Sequence, residues 1–156
     1  MPVKAIPEGY RSITPYLAVD DATAAIEFYK RAFGAKERVL MPTPDGKVAH
    51  AELEIGDSLV MLSDPFGEGQ TKAPKALGAT TIGIFLYTED VEETYKQAID
   101  AGATSTQEPE DMFWGDRFAR VTDPYGHSWQ IATHVEDVAP EEMERRSQEA
   151  MASMSS

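Results

Sequence analysis

Asp123-Pro124-Tyr125-Gly126-His127-Ser128-Trp129-Gln130-Ile131 is the stretch on which the fold is decided. A proline that fixes φ, followed two residues later by glycine, reads as a tight turn, with Asp123, Pro124 and Gly126 as its makers. Beyond it Ser128–Thr133 alternates between faces at the period of a strand, and before it Arg117–Thr122 does the same, so the turn closes an antiparallel hairpin. Working outward, Thr81–Tyr87 is a strand with Ile82, Ile84 and Leu86 on one face. Glu89-Asp90 opens a helix carrying Val91, Tyr95, Ala98 and Ile99, Gly102 stops it, and Thr104–Gln107 is a short strand.

The same order stands upstream. Ile13–Val19 reads as a strand, Asp20-Asp21 caps a helix bearing Ile26, Tyr29 and Phe33, and Gly34 ends it. Arg38-Val39-Leu40-Met41, Val48–Ile55 and Leu59–Ser63 follow as strands, with turns at Pro44-Asp45-Gly46 and Gly56-Asp57. The order repeats although the residues scarcely do. The expected organisation is an N-terminal extension (1–11), a first unit (12–66), a Gly/Pro/Lys-rich linker (67–79), a second unit (80–135) and a polar helical tail (136–156).

Composition narrows the chemistry. The 156 residues hold 42% hydrophobic side chains and no cysteine, enough for one core and nothing for disulfides, thiol nucleophiles or Cys-type zinc sites. With 27 acidic against 14 basic residues the formal charge is −13, which repels phosphate backbones, so no nucleic acid is expected as a partner. No apolar run approaches a membrane span and the N-terminus shows no secretory signal, so the expected setting is the cytoplasm, without membrane attachment. There is no G-x-S-x-G elbow, P-loop, G-x-G-x-x-G or H-E-x-x-H.

Three segments carry a resemblance: the Asp123–Ile131 turn and strand, His50-Ala51-Glu52-Leu53-Glu54-Ile55-Gly56-Asp57-Ser58, and Phe113-Trp114-Gly115-Asp116-Arg117 followed by Ala132-Thr133-His134-Val135-Glu136-Asp137. Together they resemble the vicinal oxygen chelate superfamily (glyoxalase, bleomycin-resistance and dioxygenase proteins), and within it the PhnB-like branch. The resemblance implies an α+β fold of two βαβββ modules forming a curved mixed sheet. Helices would cover its convex side, a pocket would lie on the concave one, and the chain would pair as a homodimer.

Metal-dependent superfamily members hold their ion on the first and last strands of each module. Transferred to this chain, that pattern falls on Thr14, Met61, Gly83 and Gln130, which do not form a first-row N/O ligand set. No cofactor and no inherited metal site are therefore expected, and metal-dependent glyoxalase I or dioxygenase chemistry is disfavoured. A divalent metal at a new position beside His50 and Glu52 is the remaining metal alternative.

His50 and Glu52 lie two apart on one strand face, roughly 7 Å by strand rise. They serve either as a general base and acid or as hydrogen-bond partners on a half-wet sheet. Around them the period-2 pattern gathers Thr14, Tyr16, Met61, Phe85, Tyr87 and Gln130 as candidate ligand-binding residues, the mixed apolar and polar wall a small-molecule site needs. Trp114 and Arg117 either close over a flat or anionic ligand or anchor a loop, with an Asp116–Arg117 surface interaction. His127 is expected to hold its turn by a hydrogen bond, and His134 to anchor the C-terminal segment. Two functions follow as expectations: a protein that binds a small organic ligand without the family metal, or a glyoxalase-like lyase or isomerase using His50 and Glu52.

Overall fold

The computed structural model describes residues 3–67 and 71–154; parts of the N-terminal extension (1–2), the linker (68–70) and the tail (155–156) lie outside the described residues. The first unit runs β1 (Tyr16–Ala18), α1 (Ala22–Phe33), β2 (Lys36–Pro42), β3 (Val48–Ile55) and β4 (Ser58–Ser63). The second runs β5 (Gly83–Tyr87), α3 (Val91–Ala101), β6 (Thr104–Asp111), β7 (Asp116–Thr122) and β8 (Ser128–His134). A short helix, α2 (Pro74–Leu77), lies between them, and α4 (Pro140–Met154) closes the chain. Each unit is a mixed four-stranded sheet, ordered β1-β4-β3-β2 and β5-β8-β7-β6, with a parallel pair first and antiparallel pairs after it. The two modules are thus two mixed sheets, neither closed, in the expected α+β fold.

Local chemistry accounts for the elements. The Asp21 side chain accepts from the Ala24 N–H at 3.1 Å and that of Asp90 from Glu93 at 3.2 Å, so both helices start where an acidic cap satisfies a free amide. Gly34 ends α1 in the left-handed conformation at φ +67°, which costs a residue with a side chain far more. Strand β1 is shorter than the run Ile13–Val19 suggests. Pro15 accepts from the Met61 N–H at 2.9 Å but has no N–H to return, so the ladder starts only at Tyr16. Strand β6 is longer than Thr104–Gln107. It is an edge strand, so Pro109 needs no ladder partner, and register shifts after Ser105 and Gln107 absorb the irregularity.

The core lies between the sheets and helices α1 and α3, which pack on each other. Trp129 is 1% exposed, its ring 4.4 Å from that of Phe33 on α1, so the first helix reaches over the second sheet. Asp123 does more than make a turn. Buried, it accepts from Tyr125 N and His127 N through one oxygen, and from Tyr29 Oη (2.5 Å) and Trp129 Nε1 (2.9 Å) through the other. A carboxylate with four donors is fully satisfied, and here it stitches α1 to the β7–β8 turn. Burial and the Asp123 charge push the Tyr29 hydroxyl far above its ordinary range, so it stays a donor. His127 Nε2 lies 2.9 Å from the Ala18 carbonyl and holds the same turn against β1.

Candidate functional site

Burying alternate residues against the helices leaves one open face on each sheet. In the first, β3 buries Val48, Ala51, Leu53 and Ile55 and leaves His50, Glu52 and Glu54 half-exposed. Glu52 and Tyr16 both stand opposite Met61 in the register, which brings Tyr16, His50, Glu52 and Met61 onto one patch. Tyr16 Oη lies 3.0 Å from His50 Nδ1, and His50 Nε2 lies 2.8 Å from Glu52 Oε2. Tyr10, from the segment before β1, donates its hydroxyl to Glu52 Oε1.

Glu52 accepts on both oxygens, and its bonds from Tyr10 and His50 hold its carboxyl below the usual range. His50 bridges Glu52 and Tyr16, its Nε2 facing Glu52 and its Nδ1 facing Tyr16. Burial and the bond to Glu52 push the Tyr10 hydroxyl up to about 12, so it remains a fixed donor. Both nitrogens of His50 and both oxygens of Glu52 are engaged within the protein. The exposed end of the chain is Tyr16 Oη, its residue 46% exposed.

The open face of the second sheet is aromatic. Phe85 lies 4.9 Å from Tyr87 and 5.8 Å from Phe118, and Trp114 stands edge-on to Phe118 at 5.7 Å, all as ring centroids. Arg120, two residues along β7 from Phe118, holds its guanidinium carbon 5.5 Å from that ring's centre. Gln130 stands opposite both Phe85 and Arg120 in the ladder. Between β1 and β5 lies a cleft of about 610 Å³ that takes in Thr14, Tyr16, Gly83 and Phe85, with Pro74 and Leu77 of α2 on its far side. That volume suits a small organic molecule.

Asp116 is not at the surface beside Arg117. It is 1% exposed and accepts from Tyr87 Oη (2.7 Å), Trp114 Nε1 (2.9 Å) and His134 Nδ1 (2.9 Å). Burial pushes its carboxyl up, but these bonds outweigh burial and hold it below the ordinary range. His134 Nε2 also meets Asp137 at 2.7 Å. An imidazole with a carboxylate on each nitrogen favours its protonated form, and the bonds to Asp116 and Asp137 raise its pKa accordingly. His134 thereby ties the segment after β8 to the Trp114 loop. At Gly115, whose φ is +103°, a Cβ would fall 2.2 Å from the Glu136 carbonyl oxygen, so the loop and the tail touch through bare backbone.

Arg117 faces away from the aromatic patch. Its side chain reaches Glu92 at the start of α3 (2.6 Å), Asp111 (3.2 Å) and the Pro109 carbonyl (3.3 Å) on the helix side of β7. Strand parity forces this, because Arg117 alternates with Phe118, and the expectation that it shares a ligand surface with Trp114 does not fit this placement. Sequence reading passed over Tyr10, Phe118 and Arg120. Phe118 and Arg120 carried a signal in their shared parity on β7, whereas Tyr10 carried none, since its partner is 42 residues away.

The four places that correspond to the superfamily's metal ligands are Thr14, Met61, Gly83 and Gln130. Gln130 Oε1 lies 3.2 Å from where a Cβ on Gly83 would stand, so the amide covers the bare glycine. A hydroxyl, a thioether, a glycine and an amide do not fit a first-row metal. Among the described residues no three His, Cys, Asp or Glu side chains are grouped to hold an ion.

Residues 12–131 match the Glyoxalase/Bleomycin resistance protein/Dioxygenase superfamily. The chain belongs to this superfamily. An uncharacterized protein of Mycobacterium bovis is 41% identical over 136 residues, 85% of this chain and 90% of its own. TioX from Micromonospora sp. ML1, a solved structure, is 27% identical with a TM-score of 0.65 and covers 80% of this chain and 99% of its own. A Bacillus cereus PhnB protein, described as a putative 3-demethylubiquinone-9 3-methyltransferase, shares the fold at 19% identity and TM-score 0.60, covering 79% and 99%. No helix among the described residues is long and apolar enough to cross a membrane.

Proposed function

We propose that this superfamily member, of the PhnB-like branch, is a cytoplasmic homodimer that binds a small organic ligand on its concave face without the superfamily's metal. The observation that carries the reading is the composition of that face. Aromatic rings and single polar groups gather around a cleft of fitting size, while the four inherited metal places hold no competent ligand set. The test is a ligand-observed NMR fragment screen, followed by backbone shift mapping on the labelled protein. Hits that shift Tyr16, Phe85 and Gln130 support the reading. Hits that cluster elsewhere, or stoichiometric metal in freshly purified protein, would sink it.

A second reading is a lyase or isomerase, favoured by the Tyr10–Glu52–His50–Tyr16 chain of bonds. Since His50 and Glu52 have no free polar atom, proton exchange with a substrate would pass through Tyr16 Oη, with His50 as the acceptor behind it and Glu52 as its orienting partner. His50→Ala and Glu52→Ala are expected to abolish turnover of a substrate while the fold persists, and unchanged turnover in both variants removes this reading.

A further inference from the structure

Resting on the binding reading above, we infer that the second sheet takes a flat aromatic carboxylate. Arg120 would pair with its anionic head, and Phe85, backed by the buried Phe118, would receive its ring. The inference starts from a charge that the protein leaves open. In a chain of net charge −13, Arg117, Arg145 and Arg146 each hold carboxylates at 2.6–3.2 Å, while Arg11, Arg31 and Arg38, without an ion pair among the described residues, are exposed to water. Half-buried Arg120 has no carboxylate at ion-pair distance among the described residues; what it touches is the face of Phe118. A guanidinium lying on a ring keeps the N–H groups at its rim free for an acceptor.

The neighbours on the face fit the same ligand. Gln107 stands opposite Arg120 on β6, but its amide already donates to Glu110 at 2.7 Å. Gln130, opposite on β8, is neutral. The Asp116 carboxylate shares the strand face but lies four residues away, roughly 13 Å by strand rise, and is saturated by Tyr87, Trp114 and His134. An anion at Arg120 therefore meets one cation, and the nearest acid on the face is Glu110, opposite Phe118 and bonded to Gln107.

Chemical class follows from count and shape. Arg120 and Arg117 are the two basic Lys/Arg side chains on β5 to β8, and Arg117 faces the helices. One planar cation matches one planar monoanion in a two-bond fork, whereas a phosphate dianion would leave a charge without a partner. Phe85, 44% exposed and resting 5.8 Å from the buried Phe118, offers an aromatic floor continuous with the 610 Å³ cleft. Flat rings pack on such a floor.

The test compares 2-naphthoate with its neutral isostere 2-naphthamide by titration calorimetry on the intact protein. Naphthoate is expected to bind about tenfold more tightly, the scale of one charge-assisted fork. Arg120→Gln should remove most of naphthoate's advantage and weaken naphthamide far less. Phe85→Leu should weaken both to a similar degree, and melting temperatures would confirm that each variant is folded. Equal affinity of the two probes for the wild type, or a loss in Arg120→Gln shared equally by both, overturns the carboxylate inference while small-molecule binding at this face stands. Binding of neither probe also overturns it, and the fragment screen decides the broader reading separately.

Discussion

Glu52 and Arg120 hold the same place in the two halves of the molecule, and the protein treats them in opposite ways. Each is on the third strand of its unit and stands opposite the matching position of the fourth, Met61 or Gln130. Glu52 has a donor on each oxygen. Arg120 has an aromatic ring and no acid. One fold position thus carries a charge that is consumed inside the protein in the first half and a charge left for something outside it in the second. The repeat supplies the place; the residue and its neighbours decide whether that place is structural or receptive.

The largest test of the contrast lies two residues back along each strand, at Phe118 and His50. Phe118 is 3% exposed under Trp114 and Phe85, so Phe118→Ala leaves a cavity and is expected to cost about 3–5 kcal/mol in urea denaturation. His50 is half-exposed, and His50→Ala is expected to cost only about 1–2 kcal/mol, the scale of its two hydrogen bonds. Similar losses at the two positions would mean that the first face is as much a packed core as the second, contrary to the contrast.

A smaller effect separates the members of the first-sheet chain. Tyr10→Phe removes one donor from Glu52 and is expected to cost about 0.5–1.5 kcal/mol. It should also bring the Glu52 pKa back towards its ordinary value, because the Tyr10 bond is the largest cause of its lowering. The sign follows: Glu52 is lowered in the folded state, so its contribution is present above its unfolded value and is lost as pH falls through the folded one. A stability profile in acid that Tyr10→Phe leaves unchanged would show that the bond to Glu52 is not what holds its charge.

The second sheet should respond on the alkaline side as well. His134 is raised in the folded state by Asp116 and Asp137, so its contribution is complete below the unfolded value of about 6.5 and is lost as pH climbs through the folded one. Trp114 shares Asp116 with His134, so its fluorescence is expected to change over that window. His134→Gln should flatten the change. A transition that persists in the variant assigns the titration to another group.

How much of this could be read beforehand depends on how local its cause is. Asp21 and Asp90 as caps, Gly34 and Gly102 as stops, and the Asp123–Gly126 turn act within a few residues, and each was legible. So was the shared face of Tyr16, His50 and Glu52, because strand parity is a local rule. The ring cluster was half legible: Phe85 and Tyr87 were on the expected face, but Phe118 was overlooked beside the more conspicuous Trp114 and Arg117. Asp116 looked like a surface acid because its three donors come from β5, a loop and the end of β8, which only the assembled sheet brings together. Tyr10 lies in the N-terminal extension, and nothing within its own segment points to Glu52.

Arg120 is the hardest case, and it yields the smallest expected stability effect. In sequence, an arginine at an alternating strand position looks like any solvated face; its lack of an acidic partner exists only in three dimensions. Arg120→Gln is expected to leave the melting temperature of the ligand-free protein essentially unchanged, because the variant breaks no ion pair and keeps a long stem over Phe118. Glu52→Gln, its counterpart, should lower the melting temperature measurably, because it replaces a carboxylate that accepts from both Tyr10 and His50. If Arg120→Gln destabilises the protein as much as Glu52→Gln, the guanidinium is a structural brace and the two halves are alike after all. A silent Arg120→Gln beside a costly Glu52→Gln is what a charge reserved for a ligand looks like in the protein's own stability.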